Sequence, residues 1–189
     1  MRSQPVLCAV VLLICAVSAW GAEPGPAPAL GLLPVDTNQF AMSGGVLMKQ
    51  KMNTGEAADA EYTHYFMRNF GFTADADLLR SNYQAFREYG YRFGPTYRFI
   101  PNQRVQLFPR ALFGYARFKS GLTGPRRPYQ DGFSYALGGG ADIWLTGPWS
   151  ARVTGDFEDC VESSGAANPT RYLRVEFGFK YSFGSQPSY

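Results

Sequence analysis

The chain of 189 residues has the length of one domain, and its formal net charge of +3 is small. Charged residues make up only 17% of the sequence, whereas aromatic residues make up 16% and glycine occurs 21 times. No basic cluster is longer than the pair Arg126 and Arg127, so the composition argues against a nucleic-acid partner and favours many short strands joined by tight turns.

The first residues have the features of a secretory signal peptide. A positive charge at Arg2 precedes an apolar run at residues 6–17, and small residues follow at Ala19 and Gly21. We therefore predict that residues 1–21 form a signal peptide that is removed on export. Residues 22–38 follow as a proline-rich leader in the periplasm, and no later apolar run is long enough for a membrane-spanning helix.

Cysteine usage fits this interpretation. Two of the three cysteines, Cys8 and Cys15, lie inside the predicted signal peptide, so an exported chain keeps only Cys160 and forms no intramolecular disulfide. A lipid anchor on Cys15 is the competing interpretation, but Ile14 stands where a lipoprotein signal needs a small residue.

Eight segments between residues 39 and 184 alternate apolar and polar side chains with the period of two that is typical of β-strands. In chain order they are residues 40–49, 59–67, 71–80, 88–99, 104–118, 132–145, 149–159 and 171–183. Longer connections, at residues 50–58, 81–87, 119–130 and 160–170, alternate with short turns. We predict an all-β fold: an eight-stranded antiparallel up-and-down transmembrane β-barrel at residues 39–184, followed by a short tail at 185–189. Pro95 predicts a local irregularity in its strand.

The two faces of these segments differ in chemistry. One face is apolar and is predicted to contact lipid through Tyr91, Phe93, Tyr97, Phe157, Leu173, Val175, Phe177, Phe179, Tyr181 and Phe183. The other is polar and is predicted to form a charge network in the barrel lumen from Asp75, Asp77, Arg92, Arg98, Arg110, Asp142, Arg152, Asp156, Glu158, Arg174, Glu176 and Lys180. Six acids and six bases are expected to pair, because unpaired charge in a narrow lumen is costly. The facing of segments 59–67 and 104–118 stays open.

Two stretches carry a family resemblance. Residues 138–156 (GGGADIWLTGPWSARVTGD) and 171–184 (RYLRVEFGFKYSFG) resemble the last hairpins of the outer-membrane β-barrel family related to the OmpA transmembrane domain, which includes OmpX-like eight-stranded barrels. Residues 91–98 and 107–114 resemble the middle hairpin of that family. The resemblance implies a barrel in the outer membrane of a Gram-negative cell envelope, but it does not imply a single activity.

Few residues suggest catalysis. His64 is the only histidine, and a barrel that modifies lipid A would need a serine or acid beside it, which the residues on its face do not supply. The glycines at 138–140 lack the lysine of a phosphate-binding loop, and Cys160 lacks an activating neighbour. We therefore predict no catalytic residue and no cofactor.

Two pairs of carboxylates lie on single strand faces. Asp75 and Asp77 form one pair, and Asp156 and Glu158 form the other. Such pairs could hold a cation or serve as acid and base. Ion pairing with the arginines across the lumen is the favoured interpretation, so no metal site is predicted.

The sequence therefore favours a monomeric, non-enzymatic outer-membrane protein with a structural or surface-exposed role and a lumen plugged by charge. Its partners would be outer-membrane lipid and the barrel-assembly machinery, with long loops outside the cell and both termini in the periplasm. Three alternatives stay open: a narrow passive porin-like channel, a lipid-modifying enzyme, and a soluble ligand-carrying barrel with its apolar face inside. Tyrosine and tryptophan near the ends of segments favour the membrane.

Overall fold

A computed structural model describes residues 37–49, 53–81, 86–102, 104–119, 129–162 and 170–184. The predicted signal peptide, most of the leader and the tail lie outside the described residues. Nine strands are present in these ranges: β1 (Thr37–Lys49), β2 (Asn53–Tyr65), β3 (Phe70–Ser81), β4 (Phe86–Tyr97), β5 (Phe99–Asn102), β6 (Val105–Lys119), β7 (Gln130–Thr146), β8 (Trp149–Glu162) and β9 (Thr170–Gly184). Within the same ranges, no helix is both long and apolar enough to cross a bilayer.

The strands form one closed antiparallel sheet. Strands that follow each other in the chain are paired, except that β4 pairs with β6 rather than with β5. The sheet closes where β1 pairs with β9, with Thr37 opposite Gly184. β4 and β5 are two parts of one barrel strand that is interrupted at Arg98, and both pair with β6. The predicted eight-stranded, antiparallel, up-and-down barrel is therefore confirmed.

Two short interruptions follow from local chemistry. The pairing of β4 with β6 is broken at Gly94 and Pro95 and resumes at Thr96, where the irregularity was predicted. Proline has no N–H to donate to the neighbouring strand, so a break at this position is expected. Gly147, in the turn between β7 and β8, has a φ of 52°, which is a left-handed conformation that favours glycine.

The strand boundaries correct three expectations. β2 begins at Asn53, so the long loop predicted at residues 50–58 is wrong and only residues 50–52 separate β1 from β2. β8 continues to Glu162, which places Cys160 inside a strand rather than in a loop. β1 begins at Thr37, before the predicted start of the barrel at residue 39.

The first error has a physical cause. Residues 53–58 contain a glycine, an acid and two alanines, a composition that is typical of a loop in a soluble protein. They are nevertheless paired with β1, from Asn53 opposite Lys49 to Ala58 opposite Gly44, so the hydrogen-bonded neighbour extends the strand in spite of its composition. The regular alternation of long and short connections holds only in the second half of the chain, where residues 120–129 and 163–169 are the longer links.

The two ends of the barrel differ. We call the end that carries Thr37, Gly184 and the short connections at 66–69, 103–104 and 147–148 the short-turn rim. The opposite end, which carries residues 50–52, 82–85, 120–129 and 163–169, is the long-loop rim.

The outer face of the barrel is apolar and aromatic. Phe93 is 64% exposed, Tyr91 is 63% exposed and Phe179 is 62% exposed. All ten residues predicted to face lipid lie on this face: Tyr91, Phe93, Tyr97, Phe157, Leu173, Phe177, Phe179, Tyr181 and Phe183 are exposed, and Val175 is half-buried between its neighbours. Water therefore meets large apolar side chains on the outside of an isolated barrel, which a soluble protein avoids.

Candidate functional site in the barrel lumen

Inward side chains of every long strand converge on the lumen. The alternation of β3, β4, β8 and β9 places nine of the twelve predicted network residues on the inner face, since successive side chains of a strand point to opposite sides; Arg110 is on β6, Asp142 is on β7, and Arg98 lies between β4 and β5. All twelve predicted lumen residues are buried, with exposures between 0% and 4%. The sequence leaves the facing of residues 104–118 open. In the structure this segment forms β6, and Arg110 points inward, as predicted for a member of the charge network.

Arg174 lies at the centre of this network. Its guanidinium lies 3.0 Å from Asp75, 3.3 Å from Asp77, 3.6 Å from Asp156, 2.9 Å from Glu158 and 3.4 Å from Glu176. These acids come from three different strands, β3, β8 and β9. One cation on β9 thus connects opposite walls of the barrel.

Arg92 on β4 and Arg110 on β6 extend the network to two further strands. Arg92 pairs with Asp77, with Asp75 at 3.3 Å and with Glu158 at 2.7 Å. Arg110 forms a bidentate pair with Asp156, with nitrogen–oxygen distances of 2.5 Å and 3.1 Å. The planar guanidinium fork matches a carboxylate in this geometry, so these contacts fix side-chain positions as well as charge.

A second group of contacts lies nearer the short-turn rim. Asp142 accepts from Arg152 at 2.7 Å, from Lys180 at 2.8 Å and from Gln106 at 3.1 Å. Glu61 links this group to the central one, because it pairs with both Arg152 and Arg110. Eleven of the twelve predicted residues are joined in this way into one network of ion pairs.

Arg98, the twelfth predicted residue, lies at the short-turn end of the lumen. Its Nε donates a hydrogen bond to the Arg68 carbonyl at 2.6 Å, and its guanidinium lies over the Tyr65 ring at 4.2 Å. The arginine therefore ties the interrupted strand to the turn between β2 and β3.

Sequence reasoning missed three lumen acids. Asp59, Glu61 and Glu88 are buried on the inner face, with exposures of 5%, 3% and 1%. Among the described residues the lumen therefore holds nine acids and six bases, rather than the equal numbers predicted. Two of the missed acids lie on β2, whose facing the sequence left open. Glu88 lies on β4 four residues before Arg92, and the regular alternation of that strand was the signal that could have placed it.

An apolar layer lies above the charges, at the long-loop end. It consists of Leu47, Ala57, Leu79, Ala116, Cys160 and Tyr172, which are buried and in contact. The Tyr172 hydroxyl donates to Glu88 at 2.8 Å, which satisfies the polar end of the one aromatic in the layer. The charge pairs thus occupy the middle of the described lumen, and this apolar layer lies at its long-loop end.

Glycines make room for the long charged side chains. Gly114 is opposite Arg92, Gly45 is opposite Glu176, and Gly138 lies between Arg110 and Asp156 on the neighbouring strands. An added Cβ at each of these glycines would come closer than 3.0 Å to backbone atoms of the adjacent strand. The glycines at 138–140 thus lie within β7 as packing residues, rather than in a phosphate-binding loop.

Replacing Gly138 with alanine should lower the free energy of unfolding by about 1–3 kcal/mol, the usual cost of overpacking a filled interior. Its Cβ would meet the Gly155 carbonyl and the Asp156 side chain. Gly155→Ala is the matched control on the facing strand, because nothing lies within 4 Å of a Cβ there. Urea unfolding in lipid vesicles measures both variants, and equal costs would contradict the packing role.

The other candidate residues have structural surroundings. Nδ1 of His64 lies 2.9 Å from the Asn38 side-chain oxygen, and the His64 ring lies 6.5 Å from that of Phe66 in the outer aromatic surface. Cys160 is fully buried. In the part of the chain that the structure describes, no group of three or more histidine, cysteine, aspartate or glutamate side chains is arranged to hold a metal ion.

Comparison with known proteins connects this architecture to outer-membrane barrels. No protein-family model matches the sequence, and no curated protein matches it. Among solved structures, Neisserial surface protein A is similar at a TM-score of 0.61 and 12% identity, over 78% of this chain and 96% of that one. OprG from Pseudomonas aeruginosa is similar at a TM-score of 0.57 and 14% identity, over 80% of this chain and 98% of that one. The N-terminal β-barrel domain of OprF from the same organism is similar at a TM-score of 0.56 and 10% identity, over 79% and 98% of the two chains. The chain therefore has the fold of the eight-stranded outer-membrane β-barrels.

Proposed function

We propose that this protein is an integral outer-membrane β-barrel with a structural or surface-exposed role and a closed lumen. The observation that carries the proposal is the distribution of polarity: large apolar side chains cover the outside of a closed barrel, and charged side chains fill its inside. Such an arrangement suits a bilayer, because the strands of a closed barrel pair their backbone groups with one another and the lipid-facing surface is apolar.

The proposed orientation follows from the two rims. The predicted signal peptide supports export, the long-loop rim would face the cell exterior, and both termini would lie in the periplasm. A closed sheet has no free edge to pair with a second copy, which supports a monomer. Membrane lipid and, during insertion, the barrel-assembly machinery are the proposed partners.

Cell fractionation tests the location. The protein should remain with the outer membrane through salt and alkaline washes and should need detergent for extraction. Recovery in the soluble periplasmic fraction would contradict the proposal and would favour a soluble ligand-carrying barrel.

A narrow passive pore is the second candidate, and the acid surplus of the lumen is the observation in its favour. Nine buried acids against six bases in the described lumen would attract cations. Against this candidate, ion pairs join the charges in the middle of the described lumen, and the apolar layer lies across its long-loop end. We therefore favour a closed barrel.

Planar-bilayer recording separates the two candidates. The purified barrel should give no stable conductance steps. Leu79→Ala combined with Tyr172→Ala should open the apolar layer, and any current then seen should be cation-selective because acids are in excess. Stable steps from the unmodified barrel would contradict the closed lumen.

A lipid-modifying enzyme is the third possibility, and the proposal is that the chain is not one. Support comes from the surroundings of His64, which lies among Asn38, Phe66 and lipid-facing aromatics rather than beside an acid or a serine that could form a catalytic pair. Release of acyl chains from lipid A that His64→Ala abolishes would contradict this view.

A further inference from the structure

Four described arginines face outward at the long-loop rim, and two of them are neutralised across the sheet. Arg117 on β6 lies 2.9 Å from Asp131 on β7, and Arg171 on β9 lies 3.0 Å from Asp159 on β8. At these two hairpins the strand register places an acid opposite each base.

The hairpin of β3 and β4 breaks this pattern. Arg80 and Arg87 are directly opposite each other, and both are exposed on the outer face. Like charges directly opposite in a sheet repel and destabilise the pair. Glu56 is opposite Arg80 on β2, yet no carboxylate of the described residues forms an ion pair with either arginine. Within the described part of the chain, neither guanidinium is therefore held in an ion pair, and Glu56 is the one acid on the same face of the adjacent strand.

Apolar side chains lie immediately below these arginines. Leu78 is opposite Tyr89, and one step further toward the barrel centre Tyr91 is opposite Ala76. Leu78 is 54% exposed and Tyr91 is 63% exposed. A cavity of about 430 Å³ at this rim is lined by both arginines, Leu78 and Tyr89, and also by Glu56 and the inward-facing Leu79 and Glu88. The surface thus combines a cationic head with an apolar strip that points toward the middle of the barrel.

We propose that Arg80 and Arg87 together bind the phosphate of a membrane lipid, whose acyl chain lies along Leu78, Tyr89 and Tyr91. Guanidinium groups bind phosphate in bidentate fashion, and a phosphate between them would remove their mutual repulsion. The arginines follow directly on the apolar band, at the level where lipid headgroups meet a barrel. A free phosphate ion would use the arginines but not the apolar strip. The inference rests on the proposed function as a membrane barrel.

Native mass spectrometry of the barrel released from nanodiscs tests the inference. The nanodiscs contain phosphatidylcholine with a minor fraction of phosphatidic acid, and the measurement is the amount of each lipid that the barrel retains. The unmodified barrel should retain phosphatidic acid preferentially. Arg80→Gln combined with Arg87→Gln should reduce that preference by about fivefold for each arginine.

The matched control is Arg117→Gln combined with Arg171→Gln, which removes the same charge from the same rim and should keep the preference. Equal loss in both double variants, or no preference in the unmodified barrel, would overturn the inference. Displacement of phosphatidic acid by inorganic phosphate at similar concentration would also overturn it, because the acyl chain would then contribute nothing. A chain that does not insert into these nanodiscs would contradict the membrane barrel itself, and the lipid site with it.

Discussion

Replacing Val175 with arginine should lower the free energy of unfolding of the barrel in a bilayer by about 2–4 kcal/mol, the cost of an arginine on the lipid face near the midplane. Val175 lies on the outer face of β9, between Val46 on β1 and Gly155 on β8. An arginine side chain there would be transferred from water into hydrocarbon. Its cross-strand neighbours, Val46 and Gly155, provide no carboxylate to pair with it. Urea unfolding in phosphatidylcholine vesicles gives the change.

The matched control is Val175→Leu, which keeps the position apolar and should change stability little. The effect should also depend on the solvent. In detergent micelles, which are thinner and wetter than a bilayer, the cost of Val175→Arg should shrink. A harmless Val175→Arg in vesicles would mean that the face assigned to lipid is not in lipid, which contradicts the proposed orientation of the strands.

Truncation of Arg174 to alanine should lower the free energy of unfolding by about 3–5 kcal/mol, because it leaves buried carboxylates without their shared partner. Arg174 contacts five acids within 4.0 Å, more than any other lumen cation among the described residues. Its loss would raise the acid excess of a lumen that already holds nine acids and six bases.

Two comparisons give this prediction its specificity. Arg117→Ala removes an arginine from an ion pair that is about half exposed at the rim, where water screens the charge, so it should change stability far less. Lowering the pH should reduce the cost of Arg174→Ala, because a protonated carboxyl group no longer needs a cation. A cost that is small at neutral pH would show that Arg174 does not hold the network together.

The strands with strict alternation could be predicted from the sequence alone. In β9 the residues from Leu173 to Phe183 alternate without exception, and the structure places the apolar set outside and Arg174, Glu176 and Lys180 inside. β3 and β4 behave in the same way, since Asp75, Asp77 and Arg92 are all inward. The physical reason is that a one-residue slip would move charges into lipid.

β2 shows where this reasoning fails. Its outward residues include Glu56, Ala58 and Ala60, and its inward residues include Ala57. Small or charged residues on the outside and an alanine on the inside hide the alternation of apolar and polar side chains. The strand is nevertheless paired along its length with β1. Its position is therefore set by neighbouring strands rather than by its own composition, and the lumen acids Asp59 and Glu61 could not be assigned without them.

The contacts within the lumen were also beyond the sequence. Alternation shows which side chains point inward, but it does not show which strands face each other across the barrel. Arg110 on β6 and Glu61 on β2 are 49 residues apart and meet only because the sheet closes. Pairing across the lumen depends on the stagger of the strands, which no single segment encodes.

The most direct test of the central claim, a closed barrel with lipid outside and charge inside, is electrophoretic migration of the mature chain after refolding into vesicles. A folded barrel should resist detergent at room temperature and migrate faster than the same sample after boiling, and insertion should protect its strands from added protease. We expect this difference in migration after refolding with lipid, and we expect no difference after refolding without lipid. Identical migration before and after boiling, or a folded and soluble chain in buffer alone, would contradict it.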